Sequence, residues 1–289
     1  MTFKKRFILL TLGLSAVAVF GQSKPIHAST PGLKRVSTNH MAKIANKNDY
    51  YRVNQNTKAG PYKGQKVTLP KGTVLSMTTG YDSASPAPNG KVLIANYDNS
   101  VDLSYALKKK LGVKHPSKRF QIWLPYYPKR YTKIKRPTYT LPYGQNVLFS
   151  GGLTAFKSLA SAGYQHGHPF NSNALKITSD GYLEFYKYAG TTLAGFDGRW
   201  RYTQKPTSYV KISHTLNKGA TKYLYFQQPL KGVKTVHLRN QKYRYRLAIK
   251  NRHTPYVYGN NAFAMYASIY SAGGHRYFTS PRSYDNFGD

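Results

Sequence analysis

What most limits the folds open to this chain is its punctuation. Runs of β-branched and aromatic residues last four to eight positions before Gly, Pro, Asn or Asp interrupts them: 66–69, 73–78, 91–96, 181–188, 209–213, 222–227, 235–238 and 243–250. Such runs are too short for helices and too closely spaced for βαβ units. They predict an all-β fold class, built as small β-barrels or sandwiches. Gly273-Gly274, between Ala267-Ser268-Ile269-Tyr270 and His275-Arg276-Tyr277-Phe278, has the form of a two-residue hairpin loop, because glycine supplies the positive φ that such turns require.

Two segments depart from this pattern toward helix. In residues 101–112, Leu103, Ala106, Leu107 and Leu111 share one helical face, with an Asn-Ser-Val-Asp start and a closing Gly112. Residues 153–163 form a second, weaker candidate. The expected architecture is therefore mainly β with one or two short helices. No cysteine is present, so neither disulfides nor thiol chemistry can contribute, and the hydrophobic core must hold the fold.

The first residues carry Lys4, Lys5 and Arg6, an apolar stretch from Phe7 to Phe20, and a polar segment ending Pro25-Ile26-His27-Ala28. That is the layout of a secretion signal with cleavage after Ala28; the apolar run falls short of the roughly 20 residues that a membrane crossing needs. No lipidation cysteine and no LPxTG-like motif with an apolar tail is readable. The expectation is an extracellular or cell-wall-associated protein, held without a covalent anchor and with no transmembrane segment in its mature part.

Charge points to the partner. The signal holds four of the 44 Lys and Arg and none of the nine acidic residues, so its removal lowers the net charge from +35 to +31. A surplus of this size favours polyanions, since each contact releases condensed counterions. Disorder is disfavoured by 27 Tyr and 13 Phe.

Residues 29–49 are polar and basic, and are expected to be a flexible linker. Three short motifs recur in order at matched separations: Lys66-Val67-Thr68 with Lys176-Ile177-Thr178, Ile134-Lys135 with Ile249-Lys250, and Ser161-Ala162-Gly163 with Ser271-Ala272-Gly273. These predict an internal duplication, with a first β-rich module at 50–172 and a second at 173–289. Two linked copies would suit repeated weak binding.

Each half has a basic cluster. The first contains Lys129, Arg130, Lys133, Lys135 and Arg136; the second contains Arg239, Lys242, Arg244, Arg246, Lys250 and Arg252. Tyrosines interleave with them, and Tyr131, Tyr139, Tyr243 and Tyr245 are candidate aromatic platforms. In a strand, Tyr243, Tyr245 and Leu247 would share one face, and Arg244 and Arg246 the other. With acids scarce, a solvent-facing anion-binding stripe is the expected outcome. A third cluster, Lys108–Lys110 with Lys114, Lys118 and Arg119, sits where a helix dipole favours positive charge.

Chemistry is not expected. The mature chain has one glutamate, Glu184, against the paired carboxylates that glycoside hydrolysis requires. His166-Gly167-His168 lacks the upstream His and Asp of a lysostaphin-type zinc site, and Ser208-Tyr209-Val210-Lys211 lacks the Lys-Thr-Gly that accompanies Ser-x-x-Lys enzymes. The expectation is no enzyme, no catalytic residues, no metal and no cofactor. Nucleic acid would be bound non-specifically at most, as no RRM, zinc-finger or helix-turn-helix pattern occurs.

Tyr50-Tyr51-Arg52-Val53-Asn54-Gln55-Asn56-Thr57, Lys71-Gly72-Thr73-Val74-Leu75 and Ala267-Ser268-Ile269-Tyr270-Ser271-Ala272-Gly273-Gly274 resemble secreted, basic, tyrosine-rich surface proteins of lactobacilli and related lactic acid bacteria, whose repeats are described as SH3-like or surface-layer-associated wall-binding modules. The resemblance implies small β-barrels and attachment to a Gram-positive wall. The expected function is a non-covalently retained cell-surface protein that binds an anionic, teichoic acid-like wall polymer through its Lys/Arg clusters. The alternatives are an adhesin binding host or biofilm glycans through exposed tyrosines and, more remotely, a wall hydrolase.

Overall fold

The computed structural model describes residues 32–44, 49–59, 66–94, 103–117, 123–142, 147–163, 169–192, 205–239, 241–260 and 263–279. The expected secretion signal, the His166/His168 pair, and Lys118 and Arg119 lie outside them. In chain order the elements are β1 (Gly32–Arg35), α1 (Thr38–Ile44), β2 (Asp49–Val53), β3 (Thr57–Ala59), β4 (Val67–Leu69), β5 (Val74–Tyr81), β6 (Lys91–Ile94), α2 (Tyr105–Lys110), β7 (Trp123–Pro125), β8 (Tyr131–Ile134), β9 (Val147–Ser150), α3 (Gly152–Gly163), β10 (Pro169–Ile177), β11 (Tyr182–Thr192), β12 (Ser208–Lys211), β13 (His214–Lys218), β14 (Thr221–Phe226), β15 (Val236–His237), β16 (Tyr245–Asn260), β17 (Phe263–Ala272) and β18 (His275–Thr279). The fold is all-β, as its punctuation requires.

Strands β7, β6, β5, β2 and β8 form a five-stranded antiparallel sheet, accompanied by the β3–β4 hairpin. Alternate residues of these strands, among them Tyr51, Val53, Leu75, Met77, Leu93 and Leu124, make one core together with Tyr131. Period-2 alternation is the direct cause: inward positions are apolar, and their neighbours are free to be charged.

The larger sheet has eleven strands, and its main path runs β12-β11-β10-β9-β18-β17-β16-β14-β13. The two ends of that path are consecutive in sequence. β12 pairs with β11 and β13 with β14, while the Ile212 amide bonds Gly181 O at 2.9 Å and the Ser213 amide bonds Tyr225 O at 2.8 Å. One bent strand thus carries both ends of the path, so the sheet turns back on itself as a barrel. Leu148, Leu175, Leu183, Val210, Leu224, Leu247, Tyr270 and Tyr277 fill its interior. Outside the barrel, α3 lays Phe156 and Leu159 on Phe149, Ile269 and Phe278, and the Phe156 and Phe278 ring centroids are 5.6 Å apart.

Two expectations about organisation change. Residues 32–44 are not a linker: β1 pairs with Tyr256–Gly259 of β16, and Met41 of α1 is buried against Tyr266. The division at 172/173 falls inside β10, which pairs with both β9 and β11, so it cannot separate two modules. One of the three recurring motifs also lands in unlike elements, while the other two pairs both fall in or at the end of strands. Ser161–Gly163 ends α3, whereas Ser271 and Ala272 close β17 before the hairpin turn. Three-residue likeness does not specify structure when long-range pairing decides the fold.

Segment 135–142 leaves the smaller sheet and crosses one end of the barrel. Leu141 inserts into the barrel core, and the Tyr139 hydroxyl bonds Ser179 O at 2.5 Å. The second link is α2. Its N-cap, Ser104, bonds Asp180 through both its amide (2.8 Å) and its hydroxyl (2.6 Å), and the Tyr105 amide bonds Glu184 at 2.5 Å.

Candidate polyanion-binding groove

The second basic cluster becomes a site because β16 alternates. Leu247 and Ile249 point into the barrel core, with Tyr245 packed against it, so Arg246, Ala248 and Lys250 face outward. Antiparallel pairing then sets Tyr223 of β14 opposite Ala248, Thr221 opposite Lys250, and Ser271 of β17 opposite Lys250 on its other side. Two walls rise from this floor: the stretch Lys234–Val236 and the β17–β18 hairpin with His275 and Arg276. Together they enclose a cavity of about 560 Å³.

Gly273 holds the walls together. Its φ is +55°, and a Cβ there would lie 2.7 Å from Val233 Cγ1 and 2.9 Å from Lys234 O, so only glycine permits this approach.

Four basic side chains line the cavity, Lys234, Arg246, Lys250 and Arg276, along with His275, and no carboxylate among the described residues does. Arg246 stacks on the Tyr223 ring at 5.0 Å, which fixes the plane of its guanidinium. Its Nε is buried and has no hydrogen-bond partner among the described residues. A buried N–H with no acceptor is costly. Hydroxyls of Thr221, Thr235 and Ser271 supply further polar contacts. The arrangement suits binding of several phosphate-like groups and offers no activated nucleophile.

The other expected residues are distributed differently. Arg239, Arg244 and Arg252 are exposed but do not line the groove. Lys242 lies 5.8 Å from the centroid of Tyr243, whose ring is parallel to His214 at 5.3 Å. Lys129 and Lys135 are exposed, and Arg130 sits 4.7 Å over Tyr127. Lys133 pairs with Asp49 at 2.7 Å. Arg136 is spent on its own loop, donating to Leu141 O and Pro142 O. The first cluster therefore does not converge, and of the second only Arg246 and Lys250 do.

Of the four tyrosines, Tyr131 is not a platform: it is 3% exposed, in the core of the smaller sheet, where burial pushes its hydroxyl up to about 12. Tyr139 and Tyr245 pack against the barrel core, which leaves Tyr243 as the half-exposed ring with cationic company. The groove residues overlooked in the sequence are Lys234, His275 and Arg276. The Gly273-Gly274 turn carried the signal for two of them, but their proximity to Arg246 depends on pairing.

The third cluster is also altered. Lys108 is 3% exposed and lies with buried Lys176, Asp180 and Glu184 where α2 meets the barrel. Burial and the charge of Lys176 lower its pKa to about 8, against the pull of Glu184 and Asp180. Glu184 accepts from the Tyr186 hydroxyl at 2.6 Å as well as from the Tyr105 amide, so both oxygens are engaged in joining elements. Ser208 Oγ accepts from the Lys231 amide, while Lys211 donates to Asp180 O, so this pair is divided between separate structural contacts. Among the described residues no group of three or more His, Asp or Glu is placed to hold a metal, and no helix is long and apolar enough to cross a membrane.

No family model, curated protein or solved structure matches this chain.

Proposed function

We propose that the protein is an exported, non-enzymatic cell-surface component that binds an anionic wall polymer of the teichoic acid type and is held to the wall by that contact alone. The observation that carries this reading is the groove: Lys234, Arg246, Lys250 and Arg276 converge on one cavity without a carboxylate, on a chain of net charge +35. A polymer with a phosphate in every repeat would place successive charges along such a groove and across the exposed cations beside it. Counterion release then supplies affinity without any need to read a sequence.

Fractionation of cells into medium, salt wash and wall tests the reading. The protein should stay with the wall at low ionic strength and be released by molar salt, which shortens the screening length to about 3 Å. Retention in molar salt, or equal binding to wall stripped of its anionic polymer, would refute it.

A second reading has one observation in its favour. His214, Tyr225 and Tyr243 form a three-ring surface cluster, with centroids 5.3 to 5.6 Å apart and Lys242 over Tyr243. Such a cluster suits a sugar face, as an adhesin would need. Competition by neutral sugars that is insensitive to salt would favour it over the polyanion reading.

A further inference from the structure

At the end of the barrel crossed by segment 135–142 there is a second cavity, of about 270 Å³, separate in character from the groove. Its floor is apolar and belongs to the barrel interior: Leu141, Ile249 and Tyr270 all sit in that core. Its rim is polar, formed by Asn217 and Lys222 of the β13–β14 hairpin, by Thr140, and by Asn251 and His253 of β16. The β16 rim is an irregularity in the strand. Its register against β17 shifts between Asn251 and Pro255, and His253 adopts φ +51° while its amide bonds Asn251 Oδ1 at 2.9 Å. A non-glycine residue in the left-handed region costs free energy, and such strain gathers at ligand sites.

Lys222 gives the cavity its chemistry. Its ammonium donates to Thr138 O and to Asn217 Oδ1, the latter at 2.8 Å, which uses two of three N–H groups. No carboxylate among the described residues lines the cavity. Burial, and then the nearby Arg136 charge, lower the Lys222 pKa to about 8. A positive group held beside a second cation over an apolar floor lacks only an anion to offset its charge.

We infer that this barrel-mouth cavity is a binding site for a small amphipathic anion, whose acidic head meets the Lys222 ammonium and whose apolar body rests on Leu141, Ile249 and Tyr270. The volume of about 270 Å³ falls just below that of ordinary drug-sized ligand pockets, as a small ligand requires, and barrel mouths are among the places where such pockets form. A polymer does not fit; a short-chain carboxylate or phosphate ester does. The site is independent of the groove, because Lys222 and Ile249 point away from the face that carries Arg246 and Lys250.

Calorimetric titration of the full mature protein with n-octanoate at pH 8.5, in buffers of different ionisation enthalpy, tests the assignment. The expected result is saturable one-to-one binding by about 1 mM with net proton uptake, because the bound carboxylate restores the Lys222 charge. Lys222→Met should weaken octanoate binding by about tenfold or more and abolish the uptake, while leaving 1-octanol binding unchanged. A doubly substituted groove, Arg246→Ala with Lys250→Ala, should bind octanoate as the parent does. Absence of saturable binding, octanol binding as tightly as octanoate, or loss of octanoate binding in the groove variant would each overturn the assignment. Proton uptake by the parent protein decides the matter even if Lys222→Met does not fold.

Discussion

The Ser104 hydroxyl donates to Asp180 across 2.6 Å, and the Ser104 amide meets the other oxygen of the same carboxylate at 2.8 Å. Ser104 caps α2 on the smaller sheet's side, and Asp180 lies in the β10–β11 turn of the barrel, so this pair joins the two sheets. In a chain with nine acidic residues, Asp180 and Glu184 are both buried at this joint. They complement the exposed amides at the start of α2 and offset the buried Lys108 and Lys176.

Glu184→Gln should therefore destabilise the fold by about 2–3 kcal/mol, since it removes a charge that accepts two hydrogen bonds and faces two buried lysines. Urea unfolding followed by near-ultraviolet circular dichroism measures this. Binding of polyphosphate, as a probe of the proposed ligand, should be unchanged below the melting transition, which a ligand-binding role for Glu184 would not allow.

Stability should peak near pH 10. Lys108 and Lys222 have pKa values near 8 against the usual 10.5, so between these values the unfolded chain holds protons that the folded chain has released, and stability rises with pH. Tyr51 and Tyr131 are raised to about 12, chiefly by burial, so above pH 10 the unfolded chain loses protons that the folded chain keeps, and stability falls. Melting temperatures measured from pH 7.5 to 11.5 should trace this maximum. Lys108→Met should flatten the rise between pH 8 and 10.5; an unchanged slope would mean that Lys108 titrates normally.

Replacing groove cations should change how binding depends on salt. Each of Arg246→Ala, Lys250→Ala and Arg276→Ala is expected to reduce the slope of log K against log salt by about one for polyphosphate, used as a probe of phosphate polymers. Lys129→Ala and Arg239→Ala, outside the groove, should have smaller effects. Equal effects at all five positions would replace a groove with a diffuse charge field.

Gly273→Ala should separate the groove walls. Strain at its φ of +55° and the contact with Val233 and Lys234 should together cost about 1–3 kcal/mol, and polyphosphate binding should weaken as well. Gly274→Ala is the control: its φ is +86°, but its Cβ would meet nothing within 4 Å. It should lose stability through strain while retaining affinity.

The positions of β4–β6, β11, β12 and β14–β18, the one-sided distribution of Arg246 and Lys250 against Leu247 and Ile249, and the cationic character of the surface were determined by local sequence; β1–β3, β7–β10 and β13 were not legible there. A strand's period of two assigns each residue a face without reference to its neighbours. Helix α3 and the Gly273-Gly274 hairpin were legible from other local signals, a helical spacing of apolar residues and the positive φ that glycine supplies. Tertiary structure alone decided which faces meet. Residues 32–35 look like a polar tail until they pair with 256–259, and Tyr131, Lys108 and Arg136 look like surface groups until a core, a buried joint and a loop claim them. The closure of β12 and β13 onto β11 and β14, and the convergence of Lys234 and Arg276 on Arg246, arise from pairings between distant segments. Local periodicity cannot encode those pairings, because it specifies the face a side chain takes and not the strand that lies beside it.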